Sequence, residues 1–432
     1  MVRNFANFIL EKYIAHKRTI DRAFLTLLLI GYSISIYLRS TDFPTLYQAA
    51  ERMLNLESVT ILEPHAYAYP PFFAFLSIPL TFMPYQVAKM LYFYVSVAAL
   101  VYSIIWLKRI LSKSRLFNIP SNSKFYNVYT IIFIALTARF IVNNFEHLQA
   151  DMFILLSMIG GLYFFLNGKD SLSALSLAIG AAVKVTPLFI LFYFLWKRQW
   201  KIFSLGIFIL ISLNLLPDIL LEKKGNSTYI AEWLPLVTEK LTPSGNDNES
   251  ELSWSPNSRM NQSVSATLYR YLVHEKISTY SDKYVYVNIF SLNSKTAKKI
   301  SISIILLMGL GFAWVTRRRI FSRSDDRYIL EYALALVLIL LASPVSSKPH
   351  FATMIVAQSL IIAAVYKGFL DKYYLSSLIF AFILSSLMVD GFVGKIIGRN
   401  FEALGNVTFH AVTVGMLILT ILLKTRNQIL DE

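Results

Sequence analysis

The sequence predicts an all-α membrane protein that crosses the bilayer many times. Its 432 residues are 56% hydrophobic and 16% charged, and the mean hydropathy of +0.53 is too high for a water-soluble fold of this length. The apolar residues form segments that reach or approach the length needed to cross a hydrocarbon core of about 30 Å. We therefore expect one integral membrane domain over residues 1–432, with about twelve transmembrane helices.

The distribution of positive charge predicts how the chain is oriented. Lysine and arginine total 41 against 26 aspartate and glutamate, which gives a formal charge of +15. These residues form short clusters between apolar segments, such as Arg317 to Arg319, and not one continuous basic stripe. Cytoplasmic loops of membrane proteins carry such clusters, whereas a nucleic-acid-binding surface gathers them on one face. The expected partner is therefore the lipid bilayer, with no nucleic acid.

A chain that starts with a cytoplasmic N-terminus and crosses at every apolar segment keeps each major basic cluster inside. The predicted crossings are 23–38, 86–107, 127–144, 151–167, 172–184, 187–196, 201–217, 298–316, 328–343, 351–366, 373–389 and 406–423. The loops left outside are 39–85, 145–150, 185–186, 218–297, 344–350 and 390–405. We expect the apolar stretch 71–83 to be a half-inserted hairpin, because counting it as a crossing would put the basic clusters outside. Segments 172–184 and 187–196 are short and meet at Pro187, so a broken or re-entrant pair is an alternative there.

The first outer loop presents a carboxylate, Asp42, shortly after the first predicted crossing. The amphipathic stretch from Leu46 to Leu56 follows it and is expected to lie flat on the membrane with its apolar side toward lipid. A carboxylate at the outer surface is suited to act as a general base on a substrate hydroxyl. The alternative role of Asp42 is to cap the helix that follows.

Other polar side chains are expected at the same outer face. The connection between the third and fourth crossings carries His147, Gln149 and Asp151, and the loop 344–350 carries Lys348 and His350. Ordinary polar turns are the alternative for both connections. Lys184 stands at the outer end of a crossing, against the charge rule, and is a candidate contact for an anion, with snorkelling to the surface as the alternative.

The long outer loop 218–297 supplies the amides Asn261 and Gln262 in front of a helical pattern. Its tryptophans, Trp233 and Trp254, either stack on a sugar or anchor the loop at the interface. The sequence contains no glycine-rich phosphate loop, no histidine cluster with metal-ligand spacing and no nucleophile elbow. No soluble-enzyme signature therefore competes with the outer-face residues, and the predicted site includes no metal ligand and no cofactor contact.

Several short motifs follow one another in an order that resembles glycosyltransferase family 87. They are Asp42-Phe43, Tyr47 to Ala50, Tyr69 to Leu80, Gln149 with Asp151, Ala182 to Leu188, Asn261 to Ser263, and Ser343-Pro344 with His350. The likeness extends over roughly residues 40 to 350. This family comprises GT-C membrane enzymes, similar to the polyprenol-phosphate-mannose-dependent mannosyltransferases of glycolipid synthesis.

The resemblance implies inverting transfer of a sugar, mannose or a related hexose, from a polyprenyl-phosphate-linked donor to a lipid or glycan acceptor. The reaction is expected at the outer face of a bacterial inner membrane, under a roof formed by loops 39–85 and 218–297. By its motif position Asp42 is the catalytic base. The expected contacts of the donor phosphate are Lys184, Lys348 and His350. The expected contacts of the sugar or acceptor are Tyr69, His147, Gln149, Asp151, Asn261 and Gln262.

Two other classes of protein fit parts of the pattern. A secondary transporter or flippase also has about twelve crossings and broken helices, but it places ionisable residues near the bilayer midplane and has repeated halves. A structural partner in envelope synthesis needs no catalytic base. Clustering of polar residues at one face, without a convincing internal repeat, favours the enzyme.

Overall fold

The protein is described here by a computed structural model that covers residues 26–27, 29–60, 67–119, 124–225, 227–241, 255–280 and 283–428. The basic N-terminal residues that set the predicted orientation, and Trp254, lie outside these ranges. Within them, nearly all regular structure is helical. This confirms the all-α fold class.

The helices are numbered in chain order. They are α1 (Leu29–Leu38), α2 (Phe43–Leu54), α3 (Pro71–Thr81), α4 (Tyr85–Lys113), α5 (Lys124–His147), α6 (Asp151–Leu166), α7 (Asp170–Val183), α8 (Leu188–Trp196), α9 (Trp200–Leu220), α10 (Tyr229–Leu241), α11 (Val264–Leu272), α12 (Ser294–Thr316), α13 (Arg327–Ala342), α14 (Ile355–Tyr366), α15 (Lys372–Phe382), α16 (Asp390–Val393), α17 (Lys395–Ala403) and α18 (Asn406–Gln428). A 3₁₀ helix (Lys348–Met354) leads into α14, and a π-helical turn (Ile383–Leu387) ends α15. Strands β1 (Ile277–Tyr280) and β2 (Lys283–Val285) form a short antiparallel ladder.

Six helices of the described chain are long and apolar enough to cross a membrane. They are α4, Val128–His147 within α5, α9, α12, Lys348–Tyr366 and Asn406–Thr425 within α18. Helix α8 has nine residues and, at 1.5 Å per residue, extends only about 14 Å. Such a helix cannot cross a hydrocarbon core of about 30 Å by itself. The membrane class is therefore confirmed, but the count of twelve crossings is not.

Burial separates central helices from peripheral ones. Most side chains of α13 and α14 are buried, so these two helices lie in the core. Helix α12 is long and apolar enough to cross a membrane but leaves Leu306, Leu307 and Leu310 exposed. A helix that is apolar on all sides and still exposed needs lipid as its solvent. Helix α12 therefore lies at the lipid-facing periphery.

Loops that the charge rule assigns to the cytoplasm contact one another. Lys113 at the end of α4 donates to Asn167 after α6, with 2.6 Å between Nζ and Oδ1. Arg323 forms a bidentate ion pair with Asp170 at the start of α7, at 2.6 and 3.0 Å. Lys197 after α8 donates to the carbonyl oxygens of Thr316, the last residue of α12, and of Arg318 in the following loop. These loops therefore gather at one end of the helical bundle.

Loops predicted to be outside meet at the opposite end. The Asp42 amide donates to the His147 carbonyl oxygen at 2.9 Å, which joins loop 39–85 to the α5–α6 turn. The Gln262 amide donates to the Ser346 carbonyl oxygen at 2.7 Å. The division of the loops into two groups thus agrees with the one predicted from charge.

Helix α2 differs from its predicted environment. Its apolar residues Leu46, Ala49, Ala50 and Met53 do share one side, as predicted, but that side is buried in the protein. Leu54 is the exception at 40% exposure. The expectation that this side faces lipid was wrong, because α3 folds back and covers it. Since α3 has only 11 residues, it reverses before it can cross the membrane.

Small residues bring α6 and α7 close together. Ser157 and Ser176 each donate a side-chain hydrogen bond to the other's carbonyl oxygen, at 2.7 and 2.9 Å. A Cβ added at Gly180 would lie 1.9 Å from Ser157 Oγ, and one added at Gly161 would lie 2.7 Å from Leu177. Close approach through small residues and hydroxyl hydrogen bonds is how membrane helices associate without a hydrophobic driving force. This contact aligns the start of α6 with the end of α7.

Candidate active site

The site begins at the turn between α5 and α6, where polar residues are held by a tight backbone reversal. Helix α5 continues three residues further than predicted, to His147, and Leu148 then adopts a left-handed conformation with φ of 52°. The Gln149 amide donates to the Asn144 carbonyl oxygen at 3.2 Å, and the Asn144 side chain donates to the Gln149 carbonyl oxygen at 3.1 Å. This reciprocal pair fixes the turn and aims the Gln149 side chain outward.

Asp42 lies against this turn and keeps its carboxylate available for chemistry. It occupies the N-cap position of α2, but its side chain makes no capping hydrogen bond. Instead, Oδ2 accepts from Gln149 Nε2 at 2.9 Å, and Oδ1 lies 3.8 Å from His147 Nδ1. The Asp42 side chain is 53% exposed. Its geometry therefore favours the role of an accessible base over that of a helix cap.

A buried ion pair lies next to this carboxylate. Lys184 Nζ is 2.8 Å from Asp151 Oδ1, and the two side chains are 19% and 4% exposed. Asp151 is the first residue of α6, and Lys184 follows the last residue of α7, so the close packing of these helices places the pair. The positive charge of Lys184 is thus matched by one carboxylate. Neither residue is snorkelling to the surface.

Tyr69 lies within electrostatic range of both Asp42 and Asp151. Burial, followed by the negative charges of Asp151 and Asp42, raises the pKa of its hydroxyl, and this hydroxyl lies near the backbone of Ala150. Its ring packs edge-on against Phe73, with 5.5 Å between centroids. Tyr69 therefore keeps its proton within electrostatic range of Asp42.

The 3₁₀ helix before α14 forms another wall of the site. His350 lies within electrostatic range of Lys184 and Asp151, and its ring nitrogens contact Ser347 at 3.3 and 3.4 Å. Lys348, two residues earlier, points elsewhere and forms an ion pair with Glu402 of α17. The two predicted phosphate contacts of this loop therefore face different charged groups.

Glu402 is the centre of a cationic cluster. Besides Lys348 it pairs with Arg139 of α5, at 2.8 Å from Nη2 to Oε1, and with Arg259. Burial alone would raise the pKa of Glu402, but Lys348, Arg139 and Arg259 outweigh it and lower the pKa below its usual value. Three cations thus surround one carboxylate.

The predicted amide contacts lie on the side of this cluster. Asn261 Nδ2 donates to the Pro344 carbonyl oxygen at 3.0 Å. Gln262 Nε2 donates to the carbonyl oxygens of Arg259 and Glu402 at 2.6 and 2.8 Å. Both side chains are almost completely buried, so their amides join three loops within the protein. Contact between these amides and a sugar stays a prediction.

Outer loops 39–85 and 218–297 also contact each other. Trp233 Nε1 donates to the Ala68 carbonyl oxygen at 3.2 Å, directly before Tyr69. Ser58 donates to Glu232 at 2.6 Å. Trp233 is thus used to hold the segment that carries Tyr69.

Sequence analysis missed Arg139, Arg259 and Glu402. Arg139 lies inside an apolar crossing, and an ionisable residue at such a position is itself a signal of function. Arg139 was not predicted, because the candidate residues all came from the outer face. Arg259 and Glu402 carry no local signal, because charged residues in loops are common.

The sequence model of glycosyltransferase family 87 matches residues 67–344, which is more than half of the chain. The chain belongs to glycosyltransferase family 87. Membership makes it a membrane glycosyltransferase of the GT-C class and confirms the resemblance seen in the motifs.

Other comparisons add little to the family 87 assignment. No curated protein sequence matches the chain. Among solved structures, the crystal structure of ArnT from Cupriavidus metallidurans bound to undecaprenyl phosphate matches with 14% identity and a TM-score of 0.42, over 95% of this chain and 77% of that one.

Proposed function

We propose that this family 87 member transfers a hexose, with mannose the first candidate, from a polyprenyl-phosphate-linked donor to a lipid or glycan acceptor. The observation that carries the proposal is the Asp42 carboxylate, which is half exposed, is not used as a helix cap and is oriented by Gln149. The family assignment supports transfer over the transporter alternative.

The proposed chemistry is a single displacement. Asp42 takes the proton of an acceptor hydroxyl, and the oxygen attacks the anomeric carbon from the face opposite to the phosphate. The bond between the anomeric carbon and the phosphate oxygen breaks, and the polyprenyl phosphate leaves with the bonding electrons. The product therefore has the opposite anomeric configuration. Because the lipid phosphate is already a good leaving group, the proposed step requires no metal or cofactor.

Cations near the leaving phosphate stabilise it more in the transition state than in the ground state, because negative charge grows there as the bond breaks. Lys184, Lys348 and His350 stay the predicted contacts. Tyr69, His147 and Asp151 surround the proposed position of the sugar and acceptor.

The site is proposed to face the outside of a bacterial inner membrane. Among the described residues, the basic loops around Lys113, Asp170 and Arg323, which the charge rule places inside, gather at the opposite end of the bundle from Asp42. The proposed orientation follows from that separation and the positive-inside rule.

The test is the variant D42N in the full-length protein, reconstituted in lipid vesicles. The donor is polyprenyl-phosphate-[¹⁴C]mannose, and total membrane lipids of the host serve as acceptor. We expect a loss of transfer of about 10²- to 10⁴-fold, the usual contribution of a general base. The control E51Q removes an exposed carboxylate from α2 and should keep full activity. Full transfer by D42N would remove Asp42 from the mechanism.

A further inference from the structure

We propose that Arg139, Arg259 and Lys348, gathered around one carboxylate, form an anion site that binds the phosphate group of a polyprenyl phosphate. The choice of ligand rests on the proposed function. The existence of the anion site rests on the charges and contacts of the cluster itself.

The cluster carries an excess of buried positive charge. The side chains of Arg139, Arg259 and Lys348 are 12%, 16% and 17% exposed, and that of Glu402 is 3% exposed. A further carboxylate within electrostatic range of Arg139, that of Asp390, pairs with Arg399 at 3.0 Å from Nε to Oδ2. One carboxylate therefore faces three cations, and two positive charges remain unmatched among these groups.

An excess of buried positive charge destabilises the fold unless a second anion enters the cluster. Removing a charge from water is compensated only by a well-placed opposite charge and by hydrogen bonds. The contrast with Lys184 is direct, because its charge is already matched by Asp151. Of the two cationic centres in the site, the one around Glu402 is the one that an additional anion would stabilise.

A hydrogen-bond donor in the cluster is unused. Arg139 Nη2 contacts Glu402, whereas Nη1 of the same guanidinium is buried and has no hydrogen-bond partner among the described residues. The planar guanidinium presents its donors in a fork that suits a carboxylate or a phosphate. A phosphate oxygen beside Glu402 would occupy the second arm of this fork.

The position of the cluster suits a lipid-borne phosphate. Arg139 belongs to the membrane-crossing part of α5, where a charged side chain is costly and is kept for function. Lys348 lies two residues from His350 on the 3₁₀ helix, and His350 faces the Asp151–Lys184 pair. A phosphate held by the cluster therefore adjoins the proposed sugar position, while its chain remains in lipid.

Binding measurements on the purified full-length protein in lipid nanodiscs test the inference without any transfer reaction. The probes are undecaprenyl phosphate, the uncharged undecaprenol and inorganic phosphate. We expect R259Q to weaken binding of undecaprenyl phosphate roughly ten- to hundredfold, the usual effect of losing a charge-assisted hydrogen bond. We expect E402Q to tighten it, because a competing negative charge is removed. A purely structural cluster predicts no change of affinity in either variant.

Two control variants separate charge from folding. R323Q removes an arginine that is paired with Asp170 at the opposite end of the bundle and should bind like the wild type. R259K keeps the positive charge and should bind undecaprenyl phosphate with an affinity within about threefold of the wild type. Weak binding by R259K as well as R259Q would assign the effect to a disturbed loop and overturn the proposal.

The probes identify the source of the phosphate. Undecaprenol should bind much more weakly than its phosphate, and equal affinity would overturn the proposal. If inorganic phosphate competes with undecaprenyl phosphate in the wild type but not in R259Q, the result would support the anion site and show that free phosphate also enters it. D42N should bind undecaprenyl phosphate with the affinity of the wild type, because Asp42 is not part of the cluster. If R259Q and E402Q also bind with that affinity, the anion site is rejected, whereas the catalytic role proposed for Asp42 is unaffected.

Discussion

Asp42 Oδ2 accepts a hydrogen bond from Gln149 Nε2 at 2.9 Å, across 107 positions of the sequence. The bond joins the loop after α1 to the turn between α5 and α6. Because that turn is itself fixed by Asn144, the carboxylate of Asp42 is oriented by rigid structure on one side and open to solvent on the other.

The variant Q149A tests whether this bond positions the base. We expect kcat to fall about tenfold, the value of one charge-assisted hydrogen bond, with little change in KM or in apparent melting temperature. Q199A is the matched control, because Gln199 donates to Tyr328 at the opposite end of the bundle. A Q149A protein with unchanged kcat would show that Asp42 needs no such orientation.

The Asp151–Lys184 pair is expected to be structural as well as functional. K184M leaves a buried carboxylate unpaired and should lower the free energy of unfolding by about 3–5 kcal/mol. The double variant D151N/K184M should recover part of that loss, which a double-mutant cycle on thermal unfolding would measure. Additive losses would contradict a direct interaction between the two side chains.

Variants of two neighbouring tyrosines, Tyr67 and Tyr69, distinguish a role in the reaction from a role in folding. Y69F removes a hydroxyl next to Asp42 and Asp151 and should reduce transfer severalfold with little loss of stability. Y67F removes the buried hydrogen bond from Tyr67 to the Pro70 carbonyl oxygen and should cost about 1 kcal/mol of stability. A Y69F protein that keeps full transfer activity but has a lower melting temperature would contradict the assignment of Tyr69 to the site.

The lowered pKa of Glu402 predicts that the protein loses stability in acid. Its pKa in the folded protein lies below the value of the unfolded chain, which is about 4.3. Its ionised form therefore stabilises the fold above that pH, and the stabilisation disappears as the pH falls through the folded-state pKa. The difference in apparent melting temperature between wild type and E402Q should be constant near neutral pH and shrink below about pH 4. A pH-independent difference would refute this.

Sequence patterns predicted most of what depends on local composition. The apolar segments gave the membrane class, and the turn at residues 145–150 was located within three residues. The environment of the apolar side of α2 was not predictable, because an amphipathic pattern identifies which side is apolar and not whether lipid or protein covers it. The short helices α7 and α8 likewise show that an apolar segment can pack inside a bundle without the length of a full crossing.

The sequence by itself determined the solvent of this protein, the separation of basic loops from the Asp42 end, and the family. These properties follow from hydropathy, charge and motif order, which are read along the chain. Only the tertiary structure decided which charges are matched: Lys184 meets Asp151 across 33 positions, and Arg139 meets Glu402 across 263. Such pairs depend on how helices are rotated and packed against each other, because ion pairing acts over a few ångströms in space whatever the separation in sequence.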